Sequence, residues 1–104
     1  MSSELLALVA ERFRTLGEPA RLLILNALRH EEMTVGEVVE ATELGQANVS
    51  KHLQMLFSAN FVSRRKEGLH VYYALADKSV LRLCEIVCGR LEAETRARGK
   101  LLAG

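Results

Sequence analysis

The sequence predicts a mainly α-helical domain that carries one β-hairpin, and three observations predict it. Apolar residues recur at steps of three and four over most of the chain. The period switches to two after Asn60, across Val62 to Ala76. Capping and breaking residues fall where these patterns start and stop. At 104 residues the chain suits a single domain, residues 1–104, with a packed core and no large enzyme-style cavity.

Ser2 or Ser3 caps a first helix running to about Leu16, with Leu5, Leu6, Val9, Phe13 and Leu16 at helical spacing. Gly17-Glu18-Pro19 breaks it, since Gly suits a helix end and Pro the first turn of the next. The second helix covers Ala20 to about His30 and is dense in leucine, which places it in the core. Thr34 opens a short third helix. Glu37 follows at the spacing of a capping box, and Val35, Val38 and Val39 point inward. Thr42 to Gly45 reads as a turn in which Gly45 takes the left-handed backbone.

A fourth helix runs from Gln46 to about Ser58 and buries Val49, Leu53, Leu56 and Phe57. Two strands, Val62 to Lys66 and Leu69 to Ala76, flank Glu67-Gly68. In the second, Val71, Tyr73 and Leu75 alternate with His70, Tyr72 and Ala74, so one face is buried. Asp77 caps a last helix from about Lys78 to Arg98, and Gly99 marks its end. Its apolar stripe is Val80, Leu83, Cys84, Val87, Cys88 and Leu91.

A short helix, a tight turn with a Gly and a second half-apolar helix, followed by a hairpin, make the winged helix-turn-helix pattern. The order is ααααββα, five helices and a two-stranded wing. The outward face of the fourth helix is read as Gln46, Ala47, Asn48, Ser50, Lys51, His52 and Gln54. Asn and Gln pair two-pronged with adenine, Ser serves several bases, and Ala contacts a thymine methyl. Lys51 and His52 are placed to reach phosphates. Arg64, Arg65 and Lys66 approach the hairpin tip and His70 lies on the return strand, where cations neutralise phosphate or enter a minor groove.

Net charge is only +1, so the charge distribution carries the information. From Gln46 to Tyr73 the charged residues are Lys51, Arg64, Arg65 and Lys66 against Glu67 alone. A polar face alone is what any surface helix needs. The lack of Asp and Glu from Gln46 to Ser58, with a basic hairpin directly after, favours double-stranded DNA as the partner. The competing reading is a winged-helix module for protein contacts. An enzyme is excluded: there is no Gly-rich phosphate loop, no catalytic acid pair and no Ser/His/Asp arrangement. No apolar run nears the ~20 residues that span a bilayer. The N-terminus lacks a basic region with a cleavable apolar segment, so the cytoplasm is the expected compartment.

The run from Val49 to Leu56 (Val-Ser-Lys-His-Leu-Gln-Met-Leu), then Phe61 to Leu75, strongly resembles the ArsR/SmtB family of bacterial regulators. Glu18-Pro19-Ala20-Arg21-Leu22-Leu23-Ile24-Leu25 is similar to that family's second-helix signature. The resemblance spans about Leu5 to Leu91. It implies a homodimeric transcriptional repressor, paired through the first and last helices. Its recognition helices then meet successive major grooves of a palindromic operator. A signal releases the DNA.

The family's metal positions are altered here. Where one family site has Cys in Glu-Leu-Cys-Val-Cys-Asp-Leu, this chain has Glu32-Met33-Thr34-Val35-Gly36-Glu37-Val38. Where a second site has Asp, His, His and an acid, it has Asp77, Ser79, Arg90 and Ala93. No metal or other cofactor is therefore expected. Cys84 and Cys88 share one face of the last helix. They are either apolar packing or a thiol switch between subunits, responding to oxidants, reactive sulfur or a thiophilic ion. A regulator with no inducer site is a further alternative. Arg96, Arg98 and Lys100 are read as a solvated helix end rather than as phosphate contacts.

Overall fold

A computed structural model describes residues 1–98. It contains α1 (Ser3–Leu16), α2 (Pro19–Ala27), β1 (Met33–Thr34), α3 (Val35–Thr42), α4 (Gln46–Ser58), β2 (Val62–Glu67), β3 (His70–Leu75) and α5 (Ser79–Arg98). The five helices and the hairpin stand where the sequence puts them. Gly99 and Lys100 lie outside the described residues.

Local chemistry sets most boundaries. Ser2 Oγ accepts from the Leu5 N–H, and Asp77 Oδ1 accepts from the Ser79 N–H. Pro19 opens α2. The capping box of α3 is complete: Thr34 Oγ1 accepts from the Glu37 N–H, and Glu37 Oε1 accepts from the Thr34 N–H.

Three expectations are corrected. The left-handed residue between α3 and α4 is Glu43, at φ 60°, with its N–H on the Val39 carbonyl at 2.8 Å. Gly45 is extended (φ −66°, ψ 150°) because it occupies the N-cap of α4. Helix α2 stops at Ala27 rather than near His30. There Leu28 N–H still reaches the Ile24 carbonyl, but Arg29 N–H closes a shorter turn on Asn26. That turn releases the chain into β1, a strand the sequence did not reveal. Met33 pairs with Tyr73 and Thr34 with Tyr72, so the sheet has three antiparallel strands in the order β1-β3-β2.

The exit from α4 aims the wing. Asn60 adopts φ 65°, its N–H reaches the Phe57 carbonyl, and the Phe61 N–H reaches the Leu56 carbonyl. This is a Schellman ending with Asn in the left-handed position. At the wing tip Glu67 pairs with His70, leaving Gly68 (φ +62°) and Leu69 as a two-residue loop. Positive φ at the first loop residue is what a type II′ hairpin turn requires.

One ion cluster fixes the outer side of the wing. Arg65 Nε donates to Glu32 Oε2 at 2.9 Å, and Nη1 reaches Glu67. The guanidinium also lies over the Tyr72 ring, 4.7 Å from its centroid. The Arg65 hydrogen bonds hold the Glu32 carboxyl below its ordinary value, and Glu32 and Glu67 push Arg65 upward.

The core gathers Ile24, Leu25, Val38, Val49, Leu53 and Leu56, all essentially out of water, with Val62 and Tyr73 closing it from the sheet. The stripe of α5 is covered only at its start. Val80 is buried, Leu83 and Cys84 are half-buried, and Val87, Cys88 and Leu91 are exposed.

Two expectations follow. Leu53→Ala empties a fully buried site and lowers stability by roughly 2–5 kcal/mol in chemical denaturation, given the transfer and cavity costs of such truncations. Glu32→Gln unclamps Arg65, and amide exchange across Arg65–Tyr72 accelerates while the α4 amides keep their rates. The Glu32 carboxyl is held ionised by Arg65, so wild type keeps the clamp at neutral pH. It loses the clamp only as pH falls past the unfolded-chain carboxylate value and through the lowered folded one. Unchanged hairpin exchange in the variant would show that the clamp does not hold the wing.

Candidate nucleic-acid interface

Burial of Val49, Leu53 and Leu56 turns the opposite side of α4 to solvent. Gln46, Ala47, Asn48, Ser50, Lys51 and Gln54 are all exposed there. No side chain caps the first turn of α4, and that turn holds no acid. Its leading N–H groups and the positive end of the helix dipole therefore face outward with Gln46, Ala47 and Asn48. Lys51 makes no ion pair among the described residues.

His52 departs from the expectation. The sequence puts it on the outward face, but the residue is only 9% exposed and its Nδ1 accepts from Arg21 Nε at 3.1 Å. It stands three residues after Val49 and four before Leu56, which is the spacing of the buried face. Polar identity suggested a groove contact, whereas position dictated the interior.

The wing separates its three cations. Residues alternate across β2, so Arg64 and Lys66 share one face and Arg65 takes the other. Arg64 lies over the Phe57 ring of α4, 3.9 Å from its centroid, and its Nη1 stands 3.5 Å from Gln54 Oε1. The wing base is thereby stacked on the end of α4. Lys66 is exposed and unpaired among the described residues. Arg65 is engaged with Glu32 and Glu67. His70 is exposed beside Glu67 at the tip, on the Arg65 side. The structure thus places the exposed face of α4 next to Arg64 and Lys66, and holds Arg65 apart in its acidic clamp.

A second surface is formed by α1, α2 and α5. Phe13 and Leu16 of α1, Leu22 of α2, and Leu83, Cys84, Val87, Cys88 and Leu91 of α5 line an open groove that is almost wholly apolar. The positions of the family's metal ligands are otherwise occupied. Thr34 and Asp77 act as helix caps, and Arg90 Nη2 pairs with Glu94 Oε2 at 3.3 Å. No group of three His, Cys, Asp or Glu side chains gathers among the described residues. Arg96 and Arg98 are exposed at the end of α5. No described helix is long and apolar enough to cross a membrane.

Comparison with known proteins agrees with this architecture. Residues 18–64, from the N-cap of α2 into the wing, match the family described as bacterial regulatory protein, arsR family. A transcriptional repressor SmtB homolog of Synechocystis is 36% identical over 84 residues, covering 81% of this chain and 64% of the relative. The chain therefore spans just under two-thirds of that relative's length. The crystal structure of M. tuberculosis Rv0081 superposes with a TM-score of 0.81 at 32% identity, covering 93% of this chain and 98% of the other. The solution structure of a homodimeric winged helix-turn-helix DNA-binding domain from Mycobacterium bovis superposes with a TM-score of 0.75 at 32% identity, covering 93% and 91%. The family is one of regulators rather than enzymes. With its helices, wing and signature segments in the matching order, the chain belongs to the ArsR family of bacterial transcriptional regulators.

Proposed function

We propose that the chain is a sequence-specific DNA-binding transcriptional repressor that acts as a homodimer on a palindromic operator. One observation carries this reading: the exposed, acid-free face of α4 lies beside Arg64 of the wing, with Lys66 on the same strand face and unpaired among the described residues. In a major groove, Gln46, Asn48 and Gln54 supply amide donors and acceptors for base edges, while Ala47 and Ser50 supply small contacts. Lys51 and Lys66 neutralise phosphate, with Arg64 close to the recognition helix and His70 exposed at the wing tip. Arg65 reaches DNA only by leaving Glu32 and Glu67, so its main part is to stiffen the wing.

The open groove of α1 and α5 supports the dimer, since a monomer leaves Val87 and Leu91 in water. The Mycobacterium bovis relative is itself homodimeric. A two-fold dimer presents two recognition helices and requires a matching operator symmetry. The same groove supports a thiol-reactive signal as a second reading. Cys84 and Cys88 lie on the face a partner subunit would cover, so modification there alters the pairing. A double Cys→Ser variant that keeps its inducibility in cells would leave both thiols as packing.

Binding is tested by fluorescence anisotropy on the duplex upstream of the chain's own gene, over a salt series. Affinity is expected to fall steeply with salt. Lys51→Ala, which removes one phosphate contact per subunit, is expected to lower the log–log slope by about two for a dimer. A salt-independent or absent interaction would favour a protein-binding module. Val87→Glu is expected to turn the dimer into a monomer in sedimentation experiments. A variant that stays dimeric would place the interface elsewhere.

A further inference from the structure

The inward position of His52 gives that residue a task. Its Nδ1 accepts a hydrogen bond from Arg21, and a guanidinium has no acceptor of its own. The imidazole is therefore neutral, with its proton on Nε2. The remaining nitrogens of Arg21 reach two further elements. Nη1 donates to the Thr15 carbonyl in the last turn of α1 at 3.1 Å, and Nη2 to the Met55 sulfur of α4 at 3.0 Å. Carbonyls in a last helical turn lack intrahelical partners, so the Thr15 contact satisfies one of them. One guanidinium from α2 thus joins the end of α1 to the middle of the recognition helix.

The surroundings make this junction sensitive to a proton. Burial, then the Arg21 charge, lowers the affinity of His52 for a proton; Glu18 opposes this and Lys51 adds to it. From α1, Glu11 faces the adjoining cleft beside Thr15 and Met55. A proton on Nδ1 would remove the acceptor that Arg21 Nε uses and set two cations in contact.

We infer that Arg21 and neutral His52 are positioning residues for DNA binding, setting the angle of α4 against α1, and that protonation of His52 releases α4 and weakens the complex. The inference rests on the DNA-binding reading above. Its sign is distinctive. Added positive charge on an exposed, DNA-facing surface tightens binding to phosphate. The part-buried junction acts in the opposite direction.

The test is anisotropy of the full chain on its own upstream duplex at fixed salt, from about pH 8 to about pH 5.5, the range in which histidine charges. Wild type is expected to lose roughly tenfold in affinity on acidification, the weight of one charge-assisted hydrogen bond. His52→Asn offers Oδ1 in place of Nδ1 and does not titrate. It should still bind at the upper pH and no longer weaken in acid, and His52→Gln provides a second non-titrating acceptor. Arg21→Gln should bind weakly at every pH. Flat or tighter wild-type binding in acid, or an acid loss that persists in His52→Asn and His52→Gln, would overturn the inference. Amide-exchange protection of α4 in the free protein, over the same pH series, reads the junction without DNA. It should fall with acid in wild type and hold in His52→Asn. If no duplex binds even at the upper pH, the DNA-binding reading fails, and pH-independent α4 protection would then reject the junction separately.

Discussion

Val49, Leu53 and Leu56 leave water completely on one side of α4, and their burial fixes the rotation of that helix about its own axis. Everything the helix shows to solvent depends on that angle. A turn of one residue, about 100°, would carry either Asn48 or the pair Gln46 and Gln54 to the buried side, according to its sense. The core also decides where the helix ends. Leu56 is buried and its carbonyl accepts from Phe61, so the chain reverses at Asn60 and delivers β2 alongside the helix it has just left. The exposed face of α4 and the wing are therefore placed by the same three aliphatic contacts and one left-handed residue.

The cations divide their work by type. The arginines at the junctions of this fold are internal braces. Arg21 bridges α1 and α4, Arg64 stacks on Phe57, and Arg65 is held by Glu32 over Tyr72. Each uses the flat guanidinium, with several donors in one plane and an apolar face, in a way an ammonium cannot copy. Lys51 and Lys66 are point charges on flexible stems, and neither forms an ion pair among the described residues. A phosphate backbone moving past the protein is better met by such adaptable charges. A relation between two elements is better fixed by planar ones.

This division explains what the sequence disclosed and what it withheld. Ser2, Pro19, Thr34 with Glu37, and Asp77 act within three residues of themselves, so the helix starts could be read directly. The exposed face of α4 followed from the spacing of its apolar residues. Strand β1 was invisible because two residues carry no period and its partner, β3, lies about forty residues on. The left-handed position went to Glu43 because Gly45 was needed at the next N-cap, a competition between adjacent helices that composition does not display. The burial of His52 and the clamp on Arg65 went unread for a shared reason. Their charge suggested DNA, but their partners, Arg21 and Glu32, lie over thirty residues away in sequence.

The apolar groove and the Arg21 junction meet on one helix. Helix α1 lends Phe13 and Leu16 to the groove and the Thr15 carbonyl to Arg21. Whatever covers the groove therefore bears on a helix whose last turn is tied to α4 through a single guanidinium. Cores and packed interfaces rearrange between discrete states rather than deforming smoothly, so a small shift at the end of α1 need not be lost on the way to α4. In a two-fold dimer that shift would occur in both subunits and change the separation of the recognition helices twice over. A palindromic site, with its half-sites at fixed spacing, is the partner most sensitive to such a change.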